Sequence, residues 1–143
     1  MKFKVLTILG AVALVAMAAP ASASGRSGEL HATKECSPPI GVAGSFCTFT
    51  SSNLAEIKVG SKVFYDQAAG IPPGLLDSNV VLDAGDSNRA VGRCTLDLTT
   101  LLGLCTFTDG TGQFTGFHAR VKVDCTSVCR WDGRYSFSLE DDR

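Results

Sequence analysis

Histidine, methionine and tryptophan are scarce in this chain, with two, two and one copies respectively. His31 and His118 lie far apart and no two cysteines form a C-x-x-C pair, which excludes the close ligand spacing of a zinc module. No charge of either sign dominates. The 13 basic and 14 acidic residues give a formal net charge of −1, so there is no electrostatic footprint for nucleic acid or an anionic membrane surface. Beyond the N-terminal region no segment approaches the roughly 18 apolar residues that a membrane-spanning helix requires. Nor is there a long run with helical apolar periodicity, which excludes a helix bundle.

What is present begins with Lys2 and Lys4, the apolar run Val5 to Ala19 and the small residues Ala21-Ser22-Ala23. That order predicts a secretory signal peptide over residues 1–23. Residues 24–143 then form a single domain with a short N-terminal extension, long enough to bury about 65% of its unfolded surface. No cysteine follows the cleavage signal, so a freely secreted protein, extracellular or periplasmic, is expected. All six cysteines, Cys36, Cys47, Cys94, Cys105, Cys125 and Cys129, fall in the exported part. An even number in that setting implies disulfides, and a cysteine held in a disulfide is unavailable as a catalytic thiolate.

Extended structure is signalled throughout. Turn-rich stretches such as Ser37-Pro38-Pro39, Ile71-Pro72-Pro73-Gly74, Asp83 to Asn88 and Asp109-Gly110-Thr111-Gly112 separate short runs rich in Val, Phe, Thr and Tyr. Strands are expected at 28–35, 44–50, 54–59, 62–66, 79–83, 89–98, 103–108, 114–124 and 131–139. Their spacing suits an antiparallel barrel or sandwich. In the clearest strand, Phe117, Ala119, Val121 and Val123 share one face while His118, Arg120 and Lys122 share the other. Asp132-Gly133 reads as a two-residue hairpin turn leading into a closing strand with Tyr135 and Phe137.

The tetrapeptide Cys-Thr-Phe-Thr occurs twice, at 47–50 and 105–108, and a cysteine stands at the same distance upstream of each copy, Cys36 and Cys94. Alternation places Cys94 and Leu96 on one strand face and Cys105 and Phe107 on one face of the next strand, so a hairpin sets Cys94 opposite Cys105. A stapled turn joins Cys36 to Cys47 in the same scheme, with a less definite register. Cys125 and Cys129 close a short turn. The expected connectivity is therefore sequential. The offset that superposes the two copies also aligns Lys62-Val63 with Arg120-Val121 and Asp66 with Asp124, and similar local solutions explain this better than a duplication.

Several polar residues are candidates for ligand binding: Tyr65, Asp83, Arg93, Asp97 and His118. Arg93 and Asp97 share a strand face with Arg89 and Thr95, a face that either lines a cavity and holds an anion or is solvated. His118 has the chemistry of a general acid or base near neutral pH, set against exposure beside Arg120 and Lys122. Asp83-Ala84-Gly85-Asp86 lacks the dense oxygen-ligand pattern of a calcium loop, and no metal site is assigned.

Three segments carry a family resemblance: Val63-Phe64-Tyr65-Asp66-Gln67, Asn88 to Thr95, and Cys105 through Phe117 with its F-T-D-G-T-G-x-F-x-G-F pattern. In this order they resemble the allene oxide cyclase and dirigent barrel superfamily, and Trp131 to Phe137 is similar to the closing strand of its bacterial secreted members. The resemblance implies an eight-stranded antiparallel, calycin-like β-barrel with an apolar cavity. It also implies chemistry on an apolar lipid or phenolic compound by confinement, with no cofactor, and homo-oligomers as in plant relatives. Asp66 matches a dirigent aspartate and is the candidate catalytic residue, although Tyr65 and Gln67-Ala68-Ala69-Gly70 depart from that pattern.

Two functions follow. The first is a secreted small-molecule-binding barrel, with isomerase, cyclase or coupling-control activity left open. The second is a noncatalytic extracellular or envelope protein that presents its loops to a partner.

Overall fold

The computed structural model describes residues 25–37 and 41–138. The predicted signal peptide, the Pro38-Pro39 turn and the end of the closing strand at Leu139 lie outside them. Eight strands run β1 (Arg26–Cys36), β2 (Phe46–Ser52), β3 (Lys62–Tyr65), β4 (Leu75–Asp83), β5 (Arg89–Asp97), β6 (Leu102–Thr111), β7 (Phe117–Asp124) and β8 (Cys129–Phe137). Each pairs antiparallel with the next, and β8 closes on β1 to make a barrel. Closure removes the open edges on which a flat sheet would aggregate.

Period-two alternation decides which side chains enter the barrel. Along β7, Phe117, Ala119, Val121 and Val123 are buried while His118, Arg120 and Lys122 are exposed. The two Cys-Thr-Phe-Thr copies lie in β2 and β6, half the barrel's circumference apart. Each sends its cysteine and phenylalanine inward. Phe49 and Phe107 reach the same partner, the indole of Trp131, with ring centroids 4.9 and 5.5 Å away. Such aromatic contacts add about 1 kcal/mol each beyond simple burial.

Three expectations are corrected. Residues 54–59 do not form a strand, because both amide groups of Asn53 fasten the chain to β1 and a turn from Leu54 to Ile57 follows. Leu54 and Ile57 are buried there, and Arg26 pairs with Glu56 across the loop. Asp132-Gly133 is no hairpin turn but lies inside β8, with the turn displaced to residues 125–128. Glycine is required at 133 because an added Cβ would sit 2.0 Å from the Arg120 carbonyl oxygen of β7. Finally, Asp109 to Thr111 continue β6, and the reversal is a 3-10 turn at Gly112–Phe114. Asn88 accepts a hydrogen bond from the Gln113 amide and holds that turn against the preceding one.

The two ends of the barrel are therefore unlike. The end bearing the β2–β3, β4–β5 and β6–β7 connections is filled by Leu54, Ile57, Phe114 and Phe117, all at most 3% exposed. The opposite end carries the β1–β2, β3–β4, β5–β6 and β7–β8 connections and all three disulfides.

Candidate functional site

The disulfides join Cys36 to Cys47, Cys94 to Cys105 and Cys125 to Cys129, the sequential connectivity. Cys36 faces Cys47 across β1 and β2, and Cys94 faces Cys105 across β5 and β6, so each bridge staples one hairpin at the same end of the barrel. Disulfides of this kind belong to an oxidising environment, extracellular or periplasmic.

All six cysteines line a cavity of about 860 Å³ that opens at this end. That lies in the range of small-molecule sites. Leu76, Leu96, Leu98, Leu101, Val123 and Val128 supply most of the remaining apolar wall. Leu98, Leu101 and Val128 are 36%, 37% and 54% exposed, forming an apolar lip. Leu101 is held at φ 59°, a left-handed conformation unusual for leucine, by backbone hydrogen bonds to Asp97 and Cys125. A strained backbone that keeps an apolar side chain at a cavity mouth is the kind of feature found at binding sites.

Two buried polar side chains also line the cavity: Lys34 of β1, 3% exposed, and Tyr65 of β3, 6% exposed. Lys34 follows Leu30 and Ala32 on the inward face of β1. A register shift after Thr33 sets Lys34 opposite Phe49. Its ammonium Nζ donates to the Tyr65 hydroxyl at 2.5 Å and lies 5.1 Å from the centre of the Trp131 ring. No carboxylate pairs with Lys34 among the described residues. Burial pushes its ammonium down to about 7 from an ordinary 10.5, because an apolar site disfavours the charged form. Burial likewise raises the Tyr65 phenol, which therefore remains protonated.

Of the candidates read from sequence, the structure brings Tyr65 to this cavity. Asp66, next to it, is exposed and accepts a hydrogen bond from the Ser78 hydroxyl at 2.9 Å. Arg93 and Asp97 stand on the outer face of β5, where Arg93 pairs with Asp77 and Asp97 accepts from the Thr99 and Thr100 amides. Those amides hold the Asp97 carboxyl below the usual carboxylate range. Asp83 lies at the filled end, where it accepts from the Gly85 amide and pairs with Arg89. His118 is exposed on β7. Hydrogen bonds to Asp132 and then Glu29 raise His31, on the outer face of β1, above 6.5.

Lys34 is the residue that sequence reading missed. Its signal was a lysine at the inward phase of an otherwise apolar alternation, Leu30, Ala32, Lys34, Cys36.

No protein-family model, curated protein or solved structure matches the chain. The functional reading therefore rests on the cavity and on the motifs already described.

Proposed function

We propose that this chain is an exported small-molecule-binding barrel that takes an apolar, lipid-like or phenolic compound through the disulfide-rimmed mouth. The carrying observation is an open apolar cavity of about 860 Å³ whose buried polar groups are Lys34 and Tyr65. The apolar wall supplies affinity by burial, and the amine and phenol orient the ligand's polar end. Most inward strand positions are apolar and most charged strand residues face outward, the reverse of a barrel that faces lipid. That pattern and the disulfides support a secreted carrier or enzyme.

The resemblance to allene oxide cyclase and dirigent barrels supports the same reading. Its finer form is a cyclase-like or dirigent-like activity, in which such a cavity confines one reactive conformation. In this proposal Lys34 and Tyr65 are the polar groups that meet the ligand, and Asp66 steadies the β3–β4 connection through Ser78.

Native mass spectrometry of protein from its own host, under conditions that retain apolar ligands, tests the proposal. A defined bound compound is expected, and Leu96→Trp, which places a large ring in the cavity, is expected to exclude it. Undiminished retention by Leu96→Trp would put the compound elsewhere and overturn the reading.

One observation favours the noncatalytic alternative, an interaction protein. Phe46, Phe64, Val81 and Val91 form one register row across the outside of β2 to β5. A second copy of the chain is the occupant this reading assigns to that row. Analytical ultracentrifugation decides it: a dimer lost in Val91→Lys supports the alternative, and a monomer for the unmodified protein removes it.

A further inference from the structure

The cavity holds a feature that simple retention of an apolar molecule does not require. A lysine is set into an apolar wall, has no carboxylate partner among the described residues, and meets a phenolic hydroxyl at 2.5 Å. A wall built only for apolar contact would be more stable with leucine or methionine at this position, because desolvating an amine opposes folding. Exposed Lys58, Lys62 and Lys122 carry no such environment.

We propose that Lys34 is a nucleophile that condenses reversibly with an apolar aldehyde or ketone to form an imine, with Tyr65 as the proton-transferring residue. This rests on the cavity being a ligand site and names the class of ligand it takes.

The chemistry balances without an oxidant or reductant. The lone pair of the neutral Lys34 amine forms a C–N bond to the carbonyl carbon. The carbonyl oxygen takes a proton from the Tyr65 hydroxyl, and a proton from nitrogen returns to the Tyr65 oxygen, giving a carbinolamine. The C–O bond then breaks, the hydroxyl leaves as water with a proton delivered through Tyr65, and nitrogen loses its second proton to complete the imine. Burial leaves a large share of the amine neutral near pH 7, as in other desolvated catalytic lysines, and leaves the Tyr65 phenol holding the proton to be transferred. The open mouth admits the carbonyl compound, and the lip of Leu98, Leu101 and Val128 selects an apolar chain.

The test uses the full oxidised protein, decanal as the reactive probe and decanol as its unreactive counterpart. After incubation near neutral pH with cyanoborohydride, mass spectrometry is expected to find the aldehyde, less its oxygen, on Lys34 about tenfold or more ahead of Lys58, Lys62 and Lys122. Native mass spectrometry is expected to find decanol bound without covalent change. Tyr65→Phe should slow the Lys34 adduct by about tenfold or more, and Lys34→Met should lose that adduct. Decanol uptake with no enrichment at Lys34 overturns the imine and leaves the binding reading standing. Adducts spread evenly over the lysines overturn it equally. Failure of both decanol uptake and Lys34 labelling overturns the binding reading as well. Mapping on the unmodified protein decides the matter even where a variant fails to fold.

Discussion

Lys34 Nζ lies 5.1 Å from the centre of the Trp131 ring, so the buried cation of the cavity rests on the aromatic cluster that fills the interior beyond it. The contact links the cavity wall to that cluster. It also makes the single tryptophan a reporter on the site.

Emission from Trp131 is expected to change with pH around a midpoint of about 7, where the buried amine gains or loses its charge. Lys34→Met should abolish that transition. A titration of fluorescence in the two proteins checks it, and an unchanged midpoint in the variant would assign the transition to another group.

The same lysine should impose a pH dependence on stability. Its ordinary value of 10.5 applies to the unfolded chain and about 7 to the barrel, so between these the unfolded state binds more protons. Stability therefore rises as pH increases from 7 towards 10.5, and the cost of burial is fully present below 7. That cost is on the order of 5 kcal/mol at neutral pH. Lys34→Met also strands the Tyr65 hydroxyl, which offsets part of the gain, so the variant should be more stable by about 2 kcal/mol near neutrality. Near pH 10 the advantage should have disappeared, as urea unfolding at the two conditions would reveal.

Replacing Cys94 and Cys105 together by alanine should lower stability by about 3 kcal/mol, because the bridge restricts the unfolded chain across a short loop. Nonreducing peptide maps should recover Cys94 joined to Cys105 in the unmodified protein. A peptide joining Cys94 to Cys36 or Cys125 would refute the hairpin staple.

Leu101 offers a separation of stability from binding. Asparagine tolerates φ 59° better than leucine, so Leu101→Asn should be as stable as the parent or more stable, by up to about 1 kcal/mol. It also removes part of the apolar lip, so decanol uptake should weaken. Unfolding and uptake measured on one preparation test both halves, and a large loss of stability would show that Leu101 serves packing.

Gly133→Ala probes the corrected closing strand. Its Cβ would meet backbone atoms of β7 at Arg120 and Val121, groups that cannot rotate aside, and a loss of about 3 kcal/mol is expected in urea unfolding. A loss below about 1 kcal/mol would indicate that β7 and β8 separate more easily than their register suggests.

Some of this was open to reading from the chain and some was not. Asp132-Gly133 misled because the dipeptide favours a turn locally, whereas tight approach of two strands gives glycine a different use in the middle of β8. Residues 54–59 misled because buried Leu54 and Ile57 mimic a strand's apolar content while serving to fill an end. Arg93, Asp97 and Tyr65 were equal candidates in sequence, and inward phase alone brought Tyr65 to the cavity.

The sequence by itself determined the all-β class and the two faces of each strand and made sequential disulfide pairing the expected one, since these depend on period-two alternation and on cysteines near in the chain. The tertiary structure alone decided that one barrel end is filled and the other open, and that Lys34 and Tyr65 meet there. Those outcomes come from side chains on separate strands competing for one interior, where closure and register fix the available volume and which polar groups must share it.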